Sequence, residues 1–140
     1  MPAIYIYIHV CCINNWKDIF SAIIFDIKES GLYEKTKEIR CNVLTKDKID
    51  MSFFTDDKIQ IIGISNNLEA YEVPTLNLLF EHSLSDDFYA LYLHTKGVKH
   101  NNLNLCVNDW VKYLTHFNIY KHDICLFFQQ MSDKNLFNIT

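Results

Sequence analysis

The chain has 140 residues, which is the length of one ordinary globular domain. Hydrophobic residues make up 49% and charged residues 21% of it, so a core can form and a disordered chain is excluded. The formal net charge is −4, and the basic residues are spread along the sequence without a basic patch. Nucleic acid is therefore not an expected partner, and no run approaches the roughly 20 apolar residues of a membrane span.

The arginine and cysteine contents indicate which groups can bind anions and whether the thiols are reduced. Arg40 is the single arginine, so contacts to anions must come from lysine, histidine or backbone amides. The cysteine count is odd, no Cys-x-x-Cys pair is present, and the apolar opening run lacks the basic segment of a signal peptide. These features predict reduced thiols in a cytoplasmic protein.

Strands and helices are predicted to alternate along the chain. Residues 3–12 form a β-branched and aromatic run that is apolar on both faces, as in a central strand of a covered sheet. A helix capped by Asn15 follows, and Gly31 ends it. The remaining pattern predicts strands at 38–44, 59–64 and 88–93, a loop or short helical turn at 45–58, a helix with Pro74 in its first turn, and two C-terminal helices separated by Asn118.

Each predicted helix has an apolar stripe that we expect to face the core. Trp110 lies in such a stripe, which favours core packing over stacking on a sugar. The expected inward residues of the later helices are Leu76, Leu79, Phe80 and Leu84, then Val107, Trp110, Val111, Leu114 and Phe117, and finally Ile124, Phe127, Phe128 and Met131.

The alternation predicts a single α/β domain over residues 1–140. Strands joined through helices pair in parallel with right-handed crossovers, so we expect a Rossmann-like, mostly parallel sheet of about four strands flanked by helices. Ligands of such sheets bind beyond the carboxyl ends of the strands. The polar residues that follow the first, third and fourth strands suit a nucleotide or a sugar better than a bare metal ion; they include His9, Asn14, Asn66, His94, Thr95 and Lys96.

The turn after the fourth strand, His94-Thr95-Lys96-Gly97, is the sharpest local feature. An apolar strand that ends in three polar residues directs them towards the crevice, where Lys96 would neutralise a phosphate as a point cation. The alternative, equally compatible with the sequence, is a strand-end turn with a solvated lysine and a histidine packed under a helix. No histidine pair has the i, i+4 spacing of a helical metal site, so a metal site is not predicted.

The same turn lies in a longer pattern that resembles a known family. The stretches FYALYLHTKGVKHNN and CVNDWVKYLTHFNIYKHDICL are similar to viral and bacterial glycosyltransferase-like proteins of the nucleotide-diphospho-sugar transferase (GT-A) type. That group includes relatives of the rhamnan-synthesis proteins, in which a strand ends in a similar His-Thr-Lys motif. The segments YIHVCCINNW and NNLEAYEVPTLNLLFEHS look similar too, so the resemblance covers most of the chain.

The resemblance implies the N-terminal half of a GT-A fold and a bound nucleotide-sugar. It places the base near His9, Asn14 and Asn66, at the ends of the first and third strands. It places the diphosphate or the sugar near His94, Thr95 and Lys96, with Lys96 and His94 as the candidate catalytic residues. The implied activity is transfer of the sugar to an unknown glycan or protein acceptor, in the host cytoplasm if the protein is viral.

Two departures from the family pattern concern catalysis. The Asp-x-Asp motif that holds a divalent cation, Mn²⁺ or Mg²⁺, is missing, since Asp56-Asp57 lies in a predicted loop and Asp86-Asp87 precedes the fourth strand. Domains of this type are also usually longer, with acceptor-binding elements further along. The sequence therefore leaves two interpretations open: a glycosyltransferase, or a truncated or reduced GT-A-like module that binds a nucleotide, a glycan or a protein without catalysis. It does not predict the oligomeric state.

Overall fold

The structure, a computed structural model, describes residues 1–95 and 105–133. Its sheet has four parallel strands in the order β3-β2-β1-β4. The predicted α/β class and the parallel, Rossmann-like sheet are confirmed. The strands are β1 Ala3–Cys11, β2 Thr36–Leu44, β3 Ile59–Ser65 and β4 Phe88–His94, each within two residues of its predicted bounds.

Helices connect the strands and follow the last one. The predicted loop between β2 and β3 contains only a 3₁₀ turn, and the helix with Pro74 in its first turn is present. Asn118 lies in a π-helical turn, His116–Tyr120, which separates the two C-terminal helices as predicted. The helices are α1 Trp16–Glu29, α2 Leu32–Lys35, α3 Val73–Ser83, α4 Leu105–Thr115 and α5 His122–Asp133, and none of them combines the length and apolarity that crossing a membrane requires.

The ends of α1 follow from local backbone preferences. Asn14 has a positive φ of 50°, a conformation that asparagine tolerates better than most residues, and it turns the chain out of β1. Asn15 occupies the N-cap position, and Asp18 in the first turn interacts favourably with the helix dipole. After α1, Gly31 has a φ of 82°, a left-handed conformation that suits glycine and ends the helix there, as predicted.

The two faces of the sheet differ in chemistry. Ile6, Ile8 and Val10 of β1 alternate onto one face, where they pack against Phe20 and Ile27 of α1 in the main hydrophobic core. The other face of the sheet lies under α3 and carries aromatic and polar side chains: Tyr5, Tyr7, His9, Arg40 and Asn42.

The predicted inward face of α3 is wrong for three of its four residues, and only Leu79 is half-buried. Leu76, Phe80 and Leu84 are 43%, 62% and 72% exposed, whereas Thr75 is fully buried. Because the sheet face under α3 is polar, α3 turns Thr75 and His82 towards it and leaves its apolar stripe in solvent.

The predicted core stripes of α4 and α5 are wrong as well. Trp110 is 56% exposed, and the neighbouring aromatic side chains are similarly open. The C-terminal segment is anchored instead by Ile119 and His122, at the π-helical turn and the start of α5. The other exposed members of the predicted stripes are Leu114, Phe117, Ile124, Phe127 and Phe128.

Candidate functional site

The carboxyl ends of β1 and β4 are tied together by hydrogen bonds. The backbone N–H of Thr95 donates to the carbonyl of His9 over 3.1 Å, and the backbone N–H of Cys11 donates to Oγ1 of Thr95 over 3.2 Å. Thr95 is buried, so its hydroxyl holds the two strand ends in register. This edge is where the strand order reverses direction, since β2 and β3 lie on one side of β1 and β4 lies on the other.

A buried polar network lies directly beneath this edge. Nδ2 of Asn42 donates to Oγ1 of Thr75 over 3.1 Å, and Oγ1 of Thr75 lies 3.2 Å from Nδ1 of His9. The Thr75 hydroxyl thus accepts from Asn42, and the tautomer of the imidazole sets whether it donates to His9 or accepts from it. Burial lowers the pKa of His9, opposed by the nearby Glu72 carboxylate. His9 is therefore a neutral, positioned group at neutral pH.

Gly63 of β3 makes room for this network. A Cβ atom at Gly63 would lie 2.4 Å from Oδ1 of Asn42, closer than real atoms approach. Asn42 is itself buried and hydrogen-bonded to Thr75, so it has little freedom to move away. The glycine thus allows an amide side chain to fit between β3 and α3.

Three side chains form the cluster above the network. Nδ1 of His94 lies 3.2 Å from Oε1 of Glu72, which occupies the N-cap of α3. The ring of Tyr92 stacks beside that of His94, with centroids 6.2 Å apart. The Tyr92 hydroxyl is buried beside the Glu72 carboxylate, without a well-formed hydrogen bond to it. Burial, then the charge of Glu72 and the hydrogen-bonding contact with it, raise the pKa of Tyr92, so this hydroxyl stays protonated.

This cluster borders a cavity of about 660 Å³ between the end of β4, α1 and the C-terminal helices. A cavity of roughly 300–1,000 Å³ at the carboxyl edge of a parallel sheet has the size and position of a small-molecule site. Its wall combines apolar and polar groups; those with the clearest roles are Asn15, Asp18, Ile19, Glu72, Tyr92, His94, Val111, Lys112 and Asn118.

Among the described residues, the charges of the cavity wall are mainly negative. Asp18, Asp26 and Glu72 line it together with Lys112. The Tyr120 hydroxyl donates to Oδ1 of Asp26 over 2.7 Å, which fixes one of these carboxylates against the C-terminal segment. The described wall therefore suits sugar hydroxyls and the N–H groups of a base better than bare phosphate oxygens.

The structure brings together only part of the predicted site. His94 borders the cavity, and His9 and Thr95 lie beneath it. Asn14 is exposed in the turn before α1, while its neighbour Asn15 lines the cavity. Lys96 and Gly97, the other residues of the predicted turn, lie outside the described residues.

Asn66 lies apart from the predicted site. It is exposed at the end of the edge strand β3 and lines a separate open groove with Thr45 and Ile64. Because β3 is two strands from β1, its end lies about 10 Å away across the sheet. The cavity therefore does not include Asn66.

The cavity residues missed from the sequence include Glu72, Tyr92 and Asp18. Tyr92 stands two positions before His94 on the same strand, so the alternation of a β-strand places both on one face. That spacing could have predicted Tyr92 as a site residue. Nothing in the sequence indicated Glu72 or Asp18, because a carboxylate near the start of a helix is commonly explained by the helix dipole alone.

A divalent cation is not assigned to this site. Within residues 1–95 and 105–133, no three His, Cys, Asp or Glu side chains converge to hold a metal ion. Asp56 pairs instead with Lys28 over 2.8 Å, and Asp86 contacts His82 over 2.9 Å near the opposite edge of the sheet. The described residues therefore do not supply the Mn²⁺ or Mg²⁺ site that the GT-A resemblance implies.

Fold and site together define an α/β protein with a Rossmann-like parallel sheet and a ligand-sized cavity at its carboxyl edge. No family model, curated protein or solved structure matches the chain. The functional assignment rests on the geometry and chemistry of the cavity.

Proposed function

We propose that the chain binds a nucleotide-sugar in the carboxyl-edge cavity, as the donor-binding domain of a glycosyltransferase-like protein. The observation that carries the proposal is the cavity at the carboxyl edge, with the polar cluster of Tyr92, His94 and Glu72 in its wall. This cluster offers a ligand a carboxylate acceptor and a phenol donor at one point of the wall.

The remaining wall supports the same ligand class. The carboxylates of Glu72 and Asp18 accept hydrogen bonds, as the hydroxyls of a ribose or a sugar require, while Ile19 and Val111 offer apolar contact to ring faces. In this proposal the diphosphate contacts Lys96, the residue that follows Thr95 in the chain, and not the acidic wall. Lys96 would then stabilise the charge of the leaving diphosphate during transfer, with His94 beside the sugar.

The proposal is tested by thermal-shift and calorimetric titration with uridine, guanosine and thymidine diphospho-sugars. At least one should raise the melting temperature by several degrees, since a ligand at 100 times its Kd stabilises by about 2.7 kcal/mol. The stabilisation should persist in EDTA and weaken in Lys96→Ala. No response to any of these donors would contradict the donor site.

Tyr92→Phe gives the sharper result, because it removes one polar group from the wall and keeps the ring. Donor binding should weaken about tenfold, while the free protein should lose no more than about 1 kcal/mol of stability, because Glu72 keeps His94 as a partner. Lys46→Ala, in the separate groove, is the matched control and should change neither. Unchanged donor binding in Tyr92→Phe would contradict a contact between this hydroxyl and the ligand.

A second candidate function is a non-catalytic module that binds a nucleotide, a glycan or a protein. The absence of three converging metal ligands among the described residues favours it. Hydrolysis of the bound donor in the absence of an acceptor separates the two functions. Release of free sugar that is lost in Lys96→Ala would support the enzyme, whereas binding without any turnover would support the module.

A further inference from the structure

The outer face of α3 carries a straight apolar stripe that the rest of the described chain leaves uncovered. Val73, Leu76, Phe80 and Leu84 are 59%, 43%, 62% and 72% exposed. At about 100° per residue their spacing places all four within an arc of about 80°, so they form one continuous ridge along the helix. Isolated exposed apolar residues are common in proteins, but a ridge of four on one helix is typical of a binding surface.

The charge around this ridge is acidic. On the helical wheel Glu81 lies on one side of it, about 100° from its centre, while Glu72, on the other side, pairs with His94 at the cavity. Residues 59–95 contain Glu69, Glu72, Glu81, Asp86 and Asp87 but no Lys or Arg. The nearest cation beneath α3, Arg40, is already paired with Glu38 over 2.9 Å. A partner must therefore combine apolar side chains with positive charge.

We propose that the outer face of α3 binds an amphipathic helix of another protein, with an apolar stripe flanked by lysine or arginine. A ridge with i, i+3, i+7 and i+11 spacing matches the packing of one helix along another. A second copy of this chain on the same face would bring two acidic flanks together, and an anionic membrane would meet the same flank; both are disfavoured by like-charge repulsion.

The test uses a fluorescein-labelled 18-residue helical peptide with leucine on one face and lysine on the other, titrated with the full chain in a fluorescence-anisotropy assay. The chain should bind it, and Phe80→Ser should weaken binding at least tenfold. Glu81→Lys should weaken binding several-fold, and added salt should reduce affinity for the unaltered chain more than for Glu81→Lys. A matched peptide with glutamate in place of lysine should not bind measurably.

Trp110→Ser, on the exposed face of α4, is the matched control and should bind the lysine peptide like the unaltered chain. Equal binding of the glutamate peptide, or weaker binding in Trp110→Ser than in Phe80→Ser, would overturn the proposal. Sedimentation supplies a second arm: a dimer of the unaltered chain that Phe80→Ser dissociates would show that the surface pairs with itself, and would also overturn it.

Discussion

At the scale of single residues, the packing of Gly63 against Asn42 couples the edge strand β3 to the polar network under the site. The Asn42 amide donates to Thr75, whose hydroxyl in turn contacts His9. A displaced Asn42 therefore leaves buried polar atoms unpaired, which is costlier than the loss of packing alone. The glycine is required for the space it leaves and not for its backbone freedom, because its φ lies outside the left-handed region.

Gly63→Ala should therefore destabilise the protein by about 1–3 kcal/mol, the usual cost of overpacking a filled site. The clash is with the Asn42 side chain, so in an Asn42→Ala background the same substitution should cost less than about 1 kcal/mol. Urea denaturation of the four proteins of this double-mutant cycle measures both values. Additive costs would mean that the added methyl group meets something other than Asn42.

At the scale of secondary-structure elements, the strands were predictable because β1 and β4 are rich in β-branched and aromatic residues and turn residues bound them. Helix positions were predictable as well, but the direction of their apolar faces was not. The orientation of α3 depends on the pairing of β1 with β2, which sets Tyr7 beside Arg40 and His9 beside Asn42 and so makes one sheet face polar. No local pattern within α3 contains that information.

The candidate site, like the secondary structure, was only partly predictable from the sequence. His9, His94 and Thr95 were expected at the same edge because parallel strands share a carboxyl edge, and the pairing of β1 with β4 makes them neighbours. Asn66 was expected near them, but strand order was unknown from the sequence, and β3 lies at the far edge of the sheet. Glu72 reaches the site only because α3 crosses back over the sheet to connect β3 with β4.

The exposed face of α4 gives an element-scale prediction. Phe20→Ala in α1 should cost about 3–5 kcal/mol, because Phe20 is fully buried among core side chains. Trp110→Ala should cost less than about 1 kcal/mol, although tryptophan is the larger residue, because more than half of it is already in solvent. Denaturant midpoints of the two variants measure the difference. A Trp110 cost as large as that of Phe20 would mean that Trp110 packs in the core, as the sequence pattern suggested.

At the scale of the whole molecule, stability should fall from the centre of the sheet towards the C-terminal helices. β1 lies between two strands, and eight of its nine residues are buried. The α4–α5 segment is held mainly by Ile119, by His122 and by polar contacts at its surface, such as the hydrogen bond from Tyr120 to Asp26. Elements with few buried apolar contacts open locally at a lower free energy than the core strands.

Native-state hydrogen exchange followed by mass spectrometry should therefore show stronger amide protection in the central strands than in the C-terminal helices. Amides of β1 and β2 should exchange only through global unfolding, and their protection should track the unfolding free energy as urea is added. Amides of α4 and α5 should exchange faster and with little dependence on urea, as local opening exposes little new surface. Ile119→Ala should speed exchange throughout the C-terminal segment while leaving the local-opening behaviour elsewhere unchanged. Equal protection of α5 and β1 would show instead that the C-terminal helices unfold together with the sheet as one cooperative unit.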